Sequence, residues 1–398
     1  MEMNKSEKKI GIVTMTSGEN YGNKLQNYAV QEVIKKLGFL PETLINTTVK
    51  GFDLPEAELS LIQKLKPLYI LMALKIRINK ILLIKNEGDQ IIKSIIWKVR
   101  NREKIKEVKL LKKEVFSNFF KSKIRSSDFT ISSNNIPFEK IEEFEYFFCG
   151  SDQIWNPFYP QNSMIDFICF APEAKRIAYA PSFGVDHIPE YKKVFYKEWL
   201  SEISSLSVRE EQGAKIIREL TGREAEVLVD PTLMLSRDEW LSIASKPEFK
   251  IEGEYIFTYF LGNKTNEYDD YIKSLADLHS YKIVNLLEIR EFDYYSAGPQ
   301  EFIYLINNAS LVCTDSFHGA VFSIILKSNF IVFDRKEGKH SMGSRQQTLL
   351  KKFNLEDRFF EAVSTSGKYN QTNFEGSEDI ILREQNITWA FLKKALKF

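Results

Sequence analysis

The chain has 398 residues, 43% of them hydrophobic, enough to bury two cores, so two domains are expected. Its 55 Lys and Arg against 54 Asp and Glu give a formal net charge of +1, a balance that argues against a general nucleic-acid binder. The three cysteines (Cys149, Cys169 and Cys313) stand singly, without metal-ligand spacing, and no carboxylate or histidine cluster asks for a metal; this fits a reducing cytosol.

The polar start, Met1 to Lys9, runs straight into a strand, Lys9 to Met15, so no signal peptide is expected. A polar turn with Gly18 and Gly22 follows, then a helix with Leu25, Ala29, Val33 and Leu37 on one face. Gly38 ends that helix and Phe39 to Ile45 is the next strand, a βαβ opening. Residues 55–125 change in character: helical by pattern and rich in Lys and Arg. They read either as a solvated helical face or as a basic surface toward anionic lipid headgroups or a lipid diphosphate. The longest apolar run, Pro67 to Leu74, is far too short to span a bilayer. A cytoplasmic protein is expected, at most peripheral on the inner face of the membrane.

Strands return at Glu145 to Cys149 and Arg176 to Pro181. A second βα series is read from Ser204 to Val208, helix Arg209 to Leu220 and strand Glu226 to Val229. It continues with strand Tyr255 to Tyr259, helix Glu267 to His279, strand Lys282 to Leu286 and helix Pro299 to Asn307. Strand Ser310 to Cys313, a tight turn, the helix of His318 and strand Asn329 to Phe333 follow. Alternating strands and helices imply parallel sheets. The expected fold class is α/β, with two Rossmann-like doubly wound domains facing a cleft. Residues 1–190 form the first domain, carrying the basic helical insertion 55–125, and residues 191–380 the second. Residues 381–398 are an amphipathic C-terminal helix packing back at the domain junction.

Four segments at predicted strand ends carry groups suited to chemistry. In Gly18-Glu-Asn-Tyr-Gly-Asn23 the glycines allow close backbone approach, and Asn20 and Asn23 supply orienting hydrogen bonds, or simply cap a helix. The glycine spacing is not that of a dinucleotide fingerprint. In Gly150-Ser-Asp-Gln-Ile-Trp-Asn156, the amides and carboxylate of Asp152, Gln153 and Asn156 suit sugar hydroxyls. The competing reading there is an Asx-turn, and Trp155 alone reads as core. Arg209, read at a helix start where cations are disfavoured, is either an anion clamp or paired locally to Glu210 or Glu211. His318 lies between a strand end and a helix whose N-cap is Asp315 or Ser316. The helix-start N–H groups of Ser316 and Phe317 favour an anion, and the histidine can move a proton beside it. Of the other histidines, His279 reads as a surface residue, and His187 and His340 lie in polar loops. Arg335, Lys339 and Arg345 either add positive potential to the same edge or form a solvated loop.

On five strings the chain resembles the polysaccharide pyruvyl transferases: Asn20-Tyr-Gly-Asn-Lys-Leu-Gln-Asn-Tyr-Ala29, Phe148-Cys-Gly-Ser-Asp-Gln-Ile-Trp-Asn156, Ser207-Val-Arg-Glu-Glu211, Val229-Asp-Pro-Thr-Leu233 and Cys313-Thr-Asp-Ser-Phe-His-Gly319. The resemblance implies a GT-B-like fold. It implies phosphoenolpyruvate as donor, with no other cofactor, and a sugar acceptor of bacterial capsule, exopolysaccharide or cell-wall glycan. It makes His318 the catalytic residue and Arg209 a donor-binding one, to which Ser316, Phe317 and Arg345 are added. Asn20, Asn23, Asp152, Gln153 and Asn156 are taken as acceptor-binding, although Asn23 stands where many members carry an aspartate. The basic region makes a lipid-linked acceptor and peripheral membrane contact plausible. Two other readings compete: a GT-B glycosyltransferase using a nucleotide sugar, and a non-catalytic subunit of a glycan-synthesis complex.

Overall fold

A computed structural model describes residues 8–16, 18–49, 51, 93–335 and 343–398. It divides into a large unit, residues 1–51 and 112–398, and a small one, residues 52–111. The described part of the small unit, from Lys93 onward, is almost entirely helical; residues 52–92 of the expected basic insertion lie outside the described residues. No described helix is long and apolar enough to cross a membrane.

The first sheet is parallel, in the order β3-β2-β1-β4-β5, from β1 (Lys9–Val13), β2 (Leu40–Asn46), β3 (Ser126–Ile131), β4 (Phe144–Cys149) and β5 (Arg176–Ala178). Helix Tyr21–Lys36 crosses from β1 to β2. Tyr21, Leu25, Ala29 and Val33 recur every four residues and are wholly buried. The Asn20 side chain caps its start by accepting from Asn23 N, 3.1 Å away, and Lys35 and Lys36 complement its C-terminal dipole.

Two short strands, β6 (Ser207–Val208) and β7 (Glu226–Val227), pair with each other. A bridge between Ile177 and Ser205 places that pair beside β5. The Ser204 series therefore extends the edge of the first sheet instead of opening the second one. With two residues per strand, its pattern alone could not say which sheet it joins.

The second sheet, also parallel, is ordered β11-β10-β8-β9, from β8 (Tyr255–Tyr259), β9 (Lys282–Asn285), β10 (Leu311–Thr314) and β11 (Phe330–Val332). Helix Phe317–Leu326 follows β10 and is buried along its whole length. In the C-terminal segment, Gln385 donates to Leu233 O (2.7 Å), Tyr146 OH lies 3.5 Å from Leu396 O, and Phe398 packs edge-on against Phe39. Its helix, Ser377–Ala395, starts before residue 381, where the sequence pattern begins it.

Strand order reverses between β1 and β4 in the first sheet and between β8 and β10 in the second. Chains leaving such neighbours depart to opposite faces and open a crevice at the strands' C-terminal ends. The candidate residues gather at these two edges.

Candidate active site

The second edge is built around the turn after β10. Thr314 Oγ1 donates to Tyr259 O across the sheet (2.6 Å) and accepts from Ser316 N (3.0 Å). The Asp315 carboxylate receives Leu261 N and Gly262 N (2.6 and 2.8 Å), locking the β8 loop to the turn, and it pairs with Arg335 (3.1 Å). Ser316, not Asp315, is the N-cap, accepting from Gly319 N. A β-carbon on Gly319 would stand 2.4 Å from Thr314 Oγ1, so only glycine lets the helix start this close to its strand.

His318 is buried, its Nε2 3.5 Å from Asp230 Oδ2. Asp230 is the hub of the site. Its Oδ2 receives Arg209 Nη1 (2.5 Å) and Ser151 Oγ (3.1 Å); its Oδ1 receives the N–H and hydroxyl of Thr232 (3.0 and 2.7 Å). Burial alone would raise this carboxyl, but His318, Arg209 and the Thr232 N–H outweigh it and hold it well below the ordinary carboxylate range. Arg209 Nη2 also reaches Asp152 Oδ1 at 3.3 Å. Burial disfavours the Arg209 charge, and the two aspartates more than restore it, raising its pKa.

Arg209 does not start a helix. The helix begins at Glu211, and Arg209 N donates to Pro181 O in the preceding segment. Its partners are Asp230 and Asp152, not Glu210 or Glu211. Glu210 instead accepts from Ser182 Oγ and Phe183 N (2.9 and 3.0 Å).

Phe317 lies between two arginines, with the Arg209 guanidinium 4.2 Å and the Arg345 guanidinium 5.8 Å from its ring centroid. Arg345 is buried, and among the described residues no carboxylate comes within ion-pair distance of it. Burial and the neighbouring Arg209 lower its pKa to about 10, so it stays charged at neutral pH. With its amide oxygen turned toward Arg345, Gln153 accepts from both terminal nitrogens at 2.9 and 2.8 Å. Three buried nitrogens around Phe317 have no hydrogen-bond partner among the described residues: Arg209 Nε, Arg345 Nε and His318 Nε2.

The structure thus gathers His318, Arg209, Arg345, Phe317, Asp152 and Gln153. Asn156 joins them through Gln153 (2.9 Å), and its Oδ1 accepts from Phe158 N in an Asx-turn. Ser316 is displaced from its expected anion-holding role: its N–H is spent on Thr314 and its hydroxyl on the cap. Phe317, at the first helical position, keeps an N–H with no intrahelical partner. Asn20 is occupied as a helix cap. Asn23 is buried next to Gly22, whose own role is clear: a β-carbon there would stand 2.1 Å from His318 Nδ1. The close approach foreseen for this turn is to the histidine ring.

Trp155 is core, donating to Asp166 O and stacked on Phe167. His187 and His279 are exposed, and His279 bonds Tyr369. His340 and Lys339 lie outside the described residues. Asp230 is the functional residue that residue-by-residue reading passed over. An aspartate at a strand end, fixed by a following proline and threonine, was its signal. Among the described residues no group of three or more His, Cys, Asp or Glu could hold a metal ion.

Residues 20–337 match the family model described as polysaccharide pyruvyl transferase. No curated protein matches the chain. Among solved structures, the chain is similar to a protein described as a UDP-N-acetylglucosamine 2-epimerase from Listeria monocytogenes, at 9% identity and a TM-score of 0.45, over 97% of this chain and 95% of that one. It is also similar to the UDP-GlcNAc 2-epimerase of Neisseria meningitidis, solved with UDP-GlcNAc, at 10% identity and a TM-score of 0.41, over 95% and 99% of the two chains. Likeness at this level adds nothing to what the two sheets already show.

Proposed function

Since the chain belongs to the polysaccharide pyruvyl transferase family, we propose that it moves the pyruvyl group of phosphoenolpyruvate onto two hydroxyls of a glycan-precursor sugar and releases phosphate. The observation that carries this reading is Arg345: a buried guanidinium with no carboxylate in reach among the described residues, beside Phe317 at a helix start. Phosphoenolpyruvate carries a phosphate and a carboxylate, and both suit arginine forks and a helix-terminal N–H.

In this reading Arg345 and the Phe317 N–H grip the donor, and Arg209, held by two aspartates, shapes the wall beside them. His318 Nε2 gives a proton to C3 of the donor, and electron density leaves C2. One sugar hydroxyl adds at C2 and loses its proton. The C2–O bond to phosphate then breaks, and the second hydroxyl closes the ketal. Two hydroxyl protons are released; one replaces the proton delivered to C3 and the other leaves with phosphate. Asp230 Oδ2 lies 3.5 Å from that same Nε2 and favours the charged imidazolium that gives up the proton. Arg345 and the helix start face the charge that grows on the departing phosphate.

Calorimetry with phosphoenolpyruvate tests the reading. Saturable binding by the wild type, weakened about tenfold or more in Arg345→Met, supports it. No binding of phosphoenolpyruvate, with binding of a nucleotide sugar instead, overturns it in favour of glycosyl transfer.

A further inference from the structure

The edge of the first sheet holds a second feature that this mechanism does not use. A cavity of about 260 Å³ opens where β1 and β2 end, between Thr14–Thr16, Asn46–Val49 and the loop that carries Ile154, Tyr159 and Asp166. Its polar groups are hydroxyls, amides and one carboxylate, and among the described residues no Lys or Arg lines it. Asn46 Nδ2 donates to Asp166 Oδ1 (3.3 Å), and Ser163 N donates to Asp166 Oδ2 (2.9 Å). A carboxylate can accept roughly four hydrogen bonds, so about half of that capacity is left. Met15, Val49 and Ile154 add apolar surface between the polar groups.

Two links join this cavity to the arginine cluster. Tyr159 OH lies 3.2 Å from the Gln153 amide, which faces Arg345. Thr14 Oγ1 bonds Ser151 O (3.2 Å), and Ser151 Oγ bonds Asp230. A group seated in the cavity is therefore linked to Arg345 through two side chains, Tyr159 and Gln153.

We propose that this cavity is the subsite for a neutral hexose or N-acetylhexosamine unit of the acceptor, with Asn46 and Asp166 on its hydroxyls and Met15, Val49 and Ile154 against its C–H face. Alternating hydroxyl acceptors and apolar patches match a pyranose ring. Burial raises the Asp166 carboxyl to about 7, and among the described residues no Lys or Arg of the lining would pair with a uronic acid or a sugar phosphate, so such a group would be buried unpaired beside it. The proposal rests on the pyruvyl-transfer reading for the identity of its ligand as an acceptor, though not for its chemistry.

The test is saturation-transfer NMR with methyl β-galactoside, methyl α-mannoside, N-acetylmannosamine and methyl glucuronide as probes, with phosphoenolpyruvate calorimetry on the same samples. Val49→Trp blocks the mouth from a position that is 86% exposed, so folding is retained. Asn46→Ala removes the amide. At least one neutral probe binds the wild type, methyl glucuronide does not, and both variants weaken binding by about tenfold or more, as expected for lost hydroxyl pairing. Phosphoenolpyruvate affinity is unchanged in both. The site is overturned if no neutral probe binds, if binding survives both variants, or if the glucuronide binds as well as the neutral sugars. A wild type that binds neutral sugars but not phosphoenolpyruvate keeps the cavity and discards the donor assignment.

Discussion

Two sites of opposite character lie at the strand ends. In one, buried charges crowd together: Asp152, Arg209 and Asp230 from the ends of β4, β6 and β7 meet Arg345, His318 and Phe317 from beyond β10. In the other, where β1 and β2 end, hydroxyls and amides line a cavity whose one acidic side chain among the described residues is Asp166, its carboxyl raised to about 7 by burial. Both sites arise from the same device, a reversal of strand order, so the fold explains where they lie but not what they bind. The difference lies in the side chains. One suits an anion and the other suits hydroxyls, the division that the proposed donor and acceptor require.

The largest expected effect falls on the group that bridges the two functions. His318→Ala should lower turnover by about 10²–10⁴-fold, the usual share of a general acid or base, far more than the stability lost when Asp230 loses this partner explains. Phosphoenolpyruvate should still bind. Unchanged turnover would remove His318 from the chemistry and with it the charged edge as the site of reaction.

The next effect separates the two arginines that flank Phe317. Arg209 neutralises Asp230 and Asp152, and Asp230 is wholly buried. Arg209→Met leaves Asp152 without its ion-pair partner and Asp230 with His318 alone, and should cost about 3–5 kcal/mol of stability by denaturant unfolding. Acid attacks the same pair from the other side. The Asp230 carboxyl is held below its ordinary value, so its contribution is complete above the unfolded carboxylate pKa of about 4 and is lost as pH falls toward the folded value. Arg209→Met should flatten that acid limb; an unaltered limb would mean that other carboxylates carry it.

Arg345 should behave in the opposite way. Its charge is buried without a carboxylate partner among the described residues, and burial has already lowered its pKa to about 10. Arg345→Met should leave stability unchanged or raise it slightly, yet cost about 1.5–3 kcal/mol in phosphoenolpyruvate binding, the range for hydrogen bonds to charged groups. Loss of stability with normal donor affinity would make Arg345 a structural residue and erase the contrast with Arg209.

Sequence pattern reveals each half of this comparison to a different depth. The His318 turn is legible because strand, cap and helix follow one another within a few residues. The β1, β2, β4, β8, β9 and β10 strands are legible because their apolar runs are bounded by turn residues. Strand β3 is not: Ser126-Ser-Asp-Phe-Thr-Ile131 is a polar edge strand without a clear apolar run. The Asp230 hub is hidden for another reason. Arg209 lies 21 residues from Asp230 and 57 from Asp152, and only the folded sheets bring them together. Arg345 reads from sequence as one of several loop cations; its burial is a tertiary property. The Thr14–Asn46–Asp166 cavity leaves no local signal, since threonines and asparagines after strands are ordinary turn residues.

The smallest change tests whether the two edges act together. Gly22 belongs to the helix that follows β1, yet it is packed against the ring of His318 from beyond β10. Alanine there would place its β-carbon 2.1 Å from Nδ1 and 2.6 Å from Cγ of that ring, so one partner must move. The helix is held by the Asn20 cap and by the Tyr21 hydroxyl, which donates to Ala297 O at 2.7 Å. The imidazole is the softer partner, and its shift would carry Nε2 away from Asp230. Overpacking of this kind costs about 1–3 kcal/mol in stability. Turnover should fall by more than that loss explains, while phosphoenolpyruvate affinity holds, because Arg345 is untouched. Gly22→Ala with wild-type turnover would show that the first sheet merely borders the histidine; a turnover loss with intact donor binding would show that it aims it.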